Sequence, residues 1–231
     1  MERTLKKQKI AVIAAALALA ASIIGIQPAN ASDQSGDAAQ DSSVKMFVKI
    51  DGQLKEADDL IAETDLDLSP PVTEEPGQIS PQLIGWNQWY GCFTLNNTDD
   101  VFVEYTHYWD GIAHDVNLKC GTLSWGYKHI QDSHQQDWQN KYDNAISSGW
   151  NPASQGMQSW DDLMAAATGV AVTWPDYTRD NSINQTRCGV AEALFINTET
   201  GEIEYSFPTR AAWALNSDRL ITAFPQSGST C

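Results

Sequence analysis

The chain has 231 residues, 42% of them apolar and 10% aromatic, and its 30 acids against 14 bases give a net charge of −16. That composition belongs to a folded chain and excludes a disordered polypeptide. Its sign excludes attraction of membranes or nucleic acid by the bulk field, so nucleic-acid chemistry would have to sit in a local basic site.

Residues 1–31 read as a secretory signal peptide. Arg3, Lys6, Lys7 and Lys9 form a positive start, Ile10 to Ile26 is an almost unbroken apolar run, and Ala29-Asn30-Ala31 is a small-x-small cleavage site before Ser32. The run has about the minimum length of a membrane span, and the adjoining cleavage pattern favours removal over anchoring. Cleavage takes four bases and one acid, leaving a chain at net −19. The expectation is a secreted protein with no membrane attachment.

Export sets the reading of the cysteines. Cys92, Cys120, Cys188 and Cys231 are an even set without a C-x-x-C pair, which favours disulfides over zinc or redox chemistry. Of three connectivities, Cys92–Cys120 with Cys188–Cys231 is preferred because each joins cysteines within one half of the folded region.

Ser32 to Ser43 is polar with no apolar period and is expected to be disordered. Val44 to Ile50 alternates and meets the turn Asp51-Gly52, which suggests a short strand or hairpin. Residues 55–68 are acidic, and Pro70, Pro71, Pro76 and Pro81 mark a semi-rigid joint. Residues 32–81 are therefore read as a lead segment and linker, and residues 82–231 as the globular domain. That domain carries seven bases and 17 acids, net −10.

Within it, residues 86–120 are rich in aromatic and β-branched side chains around the turn cluster Asn96 to Asp100 and read as two or three antiparallel strands. Ile130, Trp138, Tyr142 and Ile146 predict an amphipathic helix from Ser124 to about Ile146. A second helix is predicted over 160–168, capped by Ser159, favoured by Asp161 and Asp162 in its first turn, and ended by Gly169. Gly189 to Ile196, Glu202 to Phe207 and Arg219 to Phe224 read as strands separated by polar turns. The class is α+β, with N-terminal strands and one or two helices packed on a disulfide-bonded antiparallel sheet of about four strands.

All four histidines fall between 107 and 134. His129 and His134 on the long helix are i,i+5, about 140° apart around its axis, whereas a helical metal pair wants i,i+4. No H-E-x-x-H, G-x-S-x-G, Walker or dinucleotide motif is present, so no metal and no cofactor is expected. Paired-carboxylate chemistry stays open among 17 acids, and exposed tryptophans would suit sugar stacking. The plainer role for most of the nine tryptophans is core.

One combination is more specific. Leu118-Lys119-Cys120-Gly121 leads into Gly126-Tyr127-Lys128-His129-Ile130, followed by His134, and the last strand reads Arg219-Leu220-Ile221-Thr222-Ala223-Phe224-Pro225. Over about residues 115–226 this resembles the barnase/EndoU/colicin/RelE-like superfamily of ribonuclease toxins. The resemblance implies helices followed by a four-stranded antiparallel sheet, with His129 and His134 as catalytic histidines and Thr222 as the last-strand hydroxyl that holds the scissile phosphate. It also implies a cation on the sheet, for which Arg187, Arg210 and Arg219 are candidates, with Arg219 placed beside Thr222 in the catalytic set and Lys128 as a further substrate contact. Histidine titrates near neutrality and serves as base or acid, while arginine binds phosphate bidentately. RNA would be the partner of an active enzyme, and a neutralising or cell-surface protein a second one. The chain departs from the pattern in Asp132-Ser133-His134, where members carry a basic residue before the second histidine. With its acidity, that keeps a second reading alongside: a catalytically inactive secreted binding module for a cell-surface glycan or protein.

Overall fold

A computed structural model of the chain describes residues 42–57, 83–109 and 111–231. The expected signal peptide, the polar stretch to residue 41 and the proline-rich joint lie outside these residues. The elements run β1 (Val44–Ile50), β2 (Gln53–Glu56), α1 (Trp86–Trp89), β3 (Val101–Trp109), β4 (Ile112–Lys119), α2 (Tyr127–Ser147), α3 (Trp160–Thr173), β5 (Tyr177–Asn181), β6 (Thr186–Asn197), β7 (Ile203–Ala214) and β8 (Leu220–Pro225). This is an α+β fold, larger than expected. Its main sheet has six strands in the order β2-β1-β6-β7-β8, with β5 on the same edge of β6 as β1, and β3-β4 form a separate hairpin.

The lead strand belongs to the fold. Val44 to Val48 pair antiparallel with Asn197 to Ala193, and Met46 and Val48 are buried. The domain therefore takes in residues N-terminal to the expected boundary at 82, because β1 pairs with β6 and lays Val44, Met46 and Val48 into the common core. Its hairpin turns on Asp51 and Gly52, both at positive φ (50° and 79°), as a two-residue connection requires.

Residues 86–94, read as strand, are helical: α1 continues into a wider turn over Tyr90–Thr94. Trp86, Trp89, Tyr90 and Phe93 follow i, i+3, i+4, i+7, so the aromatic run carries helical spacing. The second helix passes Gly169 and ends at Thr173. Gly169 lies where a Cβ would come within 3.3 Å of the Tyr105 ring, so its small size serves packing between α3 and β3. At Gly189 a Cβ would run into the Ala171 carbonyl oxygen, which lets α3 lie close on β6. Leu163, Met164, Ala171 and Val172 on α3, with Phe195, Ala211, Leu220 and Ala223 from the sheet, form the dry centre of the core.

Both expected disulfides are present, Cys92–Cys120 and Cys188–Cys231, spanning 28 and 43 residues. Loop entropy assigns each roughly 4 kcal/mol. Among the described residues, no helix is long and apolar enough to cross a membrane.

The outer edge of β8 decides where α2 lies. Asn117 N–H donates to Asp218 O, Gly126 N–H donates to Ile221 O at 3.0 Å, and the Trp138 indole N–H donates to Ala223 O at 3.1 Å. These carbonyls would otherwise be a bare edge; here the β4 end and α2 satisfy them. The long helix is thereby fixed alongside the last strand.

Candidate functional site

The first turn of α2 is set by the loop before it. Thr122 and Trp125 exchange backbone hydrogen bonds of 2.8 and 3.2 Å, closing a tight hairpin. Gly126 then enters the helix at φ 78°, where a Cβ would come within 2.7 Å of the Lys119 carbonyl oxygen, so no side chain fits. This loop aims the Leu123 carbonyl at the His129 ring, 3.0 Å from Nδ1. A carbonyl only accepts, so Nδ1 donates to it, and whenever the ring is neutral its lone pair is on Nε2.

His134 stands next to it, the rings edge to face with centroids 5.8 Å apart. His134 stacks on Phe224 at 4.7 Å, and the Arg210 guanidinium lies 5.6 Å from the Phe224 ring centre. The four side chains form a continuous series from α2 across β8 to β7. Phe224 is the member that sequence reasoning passed over, though it stands in the quoted last-strand motif. The Asp137 carboxylate faces His134 Nδ1 at 3.3 Å.

Register places the remaining residues. Arg210 is opposite Phe224, and Ala212 is opposite Thr222, so Thr222 shares its face with Arg210 and Phe224, ~7 Å along the strand from Phe224. The Thr222 hydroxyl is buried and has no hydrogen-bond partner among the described residues. Arg219 stands at the other end of β8, ~16 Å from Phe224, with its guanidinium 4.9 Å from the Trp125 ring centre. Lys128 turns away to Asn96 Oδ1 at 2.8 Å and to the Phe93 ring.

Arg187 is not part of this group. It lies on the opposite face of the sheet, buried, and holds Asp180 with two nitrogens. Its third contact is His107 Nε2 at 2.9 Å, while His107 Nδ1 donates to Val172 O at 2.7 Å. A guanidinium only donates, so His107 is neutral; burial foremost, and then the Arg187 charge, hold it below the usual histidine range. This network ties β3 and α3 to β6. Among the described residues, no three His, Cys, Asp or Glu side chains converge to hold a metal ion.

A buried carboxyl pair lies at the start of α2. Tyr127, the first residue of α2, donates from its hydroxyl to Asp161 at 3.1 Å, and Ser159 Oγ touches both Asp161 and Asp162. A carboxyl that carries a proton can donate to the Ser159 oxygen in return. Burial pushes Asp161 up to about 6, supplying that proton in mildly acid solution. Because the folded value exceeds the unfolded one, its stabilisation is complete below pH 4 and is lost as pH rises through 6. The difference is about 3 kcal/mol at 1.36 kcal/mol per pH unit. Asp162, also raised by burial, acts in the same direction. Urea unfolding is expected to show Asp161→Asn gaining stability over the wild type between pH 4.5 and pH 7.5, a comparison from which the opposite pull of His107, neutral when folded, cancels. A difference between variant and wild type that stays the same at both pH values would contradict the assignment.

No family model matches the chain, and no solved structure matches it. Two curated proteins from two strains of Mycobacterium tuberculosis, each titled only as an uncharacterized protein, are 29% identical to it over 115 residues. The match covers 50% of this chain and 38% of each relative, so the chain spans less than half the length of these relatives.

Proposed function

We propose that this protein is a secreted, metal-independent endoribonuclease of the toxin type, cutting RNA by general acid–base catalysis between His129 and His134. The observation that carries the reading is the pair of imidazoles at right angles, 5.8 Å apart, with Phe224 and Arg210 continuing the group. Two imidazoles at that separation can flank one phosphodiester. His129 Nε2 takes the proton of the 2′-hydroxyl as its oxygen attacks phosphorus. The bond to the 5′-oxygen breaks, and His134, in its imidazolium form, gives its proton to that oxygen from Nε2. The products are a 2′,3′-cyclic phosphate and a 5′-hydroxyl. Arg210 stabilises the charge gathering on the phosphorane, while the buried Thr222 hydroxyl lies beneath the same face and does not reach the substrate. The ring face of Phe224 supports His134 and supplies a surface for a base. Incubation with single-stranded RNA in EDTA tests the reading: cleavage supports it, and intact RNA overturns it.

A binding module without catalysis has its own observation. Trp86 and Trp89 stack at 5.3 Å, Trp86 is 62% exposed, and Tyr90 lies beside them. Such a strip suits the apolar faces of sugars. RNA left intact, together with saturable glycan binding that Trp86→Ala abolishes, would favour this reading.

A further inference from the structure

The outer face of the sheet, away from α3, carries a cavity of about 470 Å³, within the roughly 300–1,000 Å³ of small-ligand sites. Register explains its floor. Arg179 is opposite Cys188, Cys188 opposite Ala212, and Ala212 opposite Thr222, so one row crosses β5, β6, β7 and β8 and ends on the strand that carries Phe224. The Cys188–Cys231 disulfide forms part of the cavity wall, and Asn181 and Thr186 from the β5–β6 turn region complete a polar side.

Two cations line this space. Arg179 is exposed and has no carboxylate partner among the described residues. Arg210 has none either, and its Nε is buried without a hydrogen-bond acceptor. Asp180, also in the lining, is neutralised by the two-nitrogen contact from Arg187. In a chain with 30 acids, two arginines left without acids on one cavity mark a site for an anion. Arg210 also reaches the Phe224 ring, on which His134 stacks, so the cavity adjoins the histidine pair.

We propose that this cavity is a nucleotide subsite, taking the phosphate of the residue next to the scissile one on Arg179, with Arg210 standing between that phosphate and the scissile one. Its base would lie against the polar side formed by Asn181 and Thr186. The proposal rests on the ribonuclease reading for its substrate and names that substrate as a single strand, since the adjoining nucleotide must leave a duplex to enter.

The test uses a 5′-phosphorylated deoxydinucleotide, which lacks the attacking 2′-hydroxyl and reports binding without chemistry. Calorimetry on the whole protein is expected to show Arg179→Ala weakening the probe about tenfold, the worth of one charged hydrogen bond. With RNA as substrate, the same variant is expected to raise KM about tenfold and leave kcat within twofold. Arg179 is exposed, so folding is not at issue. If Arg179→Ala binds the probe and cuts RNA like wild type, while His129→Ala abolishes cutting, the subsite is refuted and the nuclease stands. If Arg179→Ala weakens the probe but the wild-type protein never cuts RNA, the nucleotide site is supported and the ribonuclease reading falls.

Discussion

Substitution of His129 by alanine is expected to lower the rate of RNA cleavage in EDTA by 10²-fold or more, the usual contribution of one general acid or base. The ring is held by one carbonyl of the preceding loop, at 3.0 Å, and by a 3.5 Å contact of Ser133 Oγ with the same Nδ1. Neither contact carries the core, so the loss should fall on kcat with the unfolding midpoint nearly unmoved. His134→Ala should lose a similar factor, and the double variant should lose much less than the product of the two, because the histidines act as one unit. Lys128→Ala supplies the contrast. That side chain points to Asn96 and Phe93, so its removal should change KM little and kcat not at all.

The largest expected effect on stability is at Trp138. Its indole is fully buried, meets Phe207 edge to face at 6.1 Å, and donates to the Ala223 carbonyl at the outer edge of β8. Trp138→Ala removes that packing, leaves a cavity and orphans the carbonyl, for a loss of about 3–5 kcal/mol. Trp138→Phe keeps most of the volume and loses the hydrogen bond, for about 1–2 kcal/mol. The milder variant should also reduce cleavage, because the same contact sets α2, with His134, against Phe224. Equilibrium unfolding in urea reads both values. A loss below 1 kcal/mol in the alanine variant would contradict this role.

How far the sequence reveals this arrangement depends on the length scale of the interaction. The hairpin at Asp51-Gly52, the long helix through Trp138 and Tyr142, the Ser159 cap and both disulfides follow from local pattern or from pairing within one half of the domain. Elements whose role depends on distant partners were less legible. Trp86 to Phe93 are aromatic enough to read as strand, and only their spacing shows the helix. Tyr177–Asn181 is polar and exposed throughout, and becomes a strand only because β6 offers it an edge. Gly169 looks like a helix end and is a contact point for Tyr105.

The site shows the same division. His129 and His134 come together although i,i+5 places them on different sides of the helix, because the Leu123 loop draws one ring and Phe224 the other. Arg187, Arg210 and Arg219 were equivalent in sequence. Strand register separates them: Arg187 on the inner face with Asp180, Arg219 at the Trp125 end, and Arg210 beside Phe224.

The termini left on cleaved RNA test the two-histidine mechanism most directly. Purified protein, incubated in EDTA with a 5′-labelled single-stranded RNA, should produce fragments ending in 2′,3′-cyclic phosphate, and His129→Ala should stop their formation. RNA that stays intact, or fragments ending in 3′-hydroxyl, would contradict it.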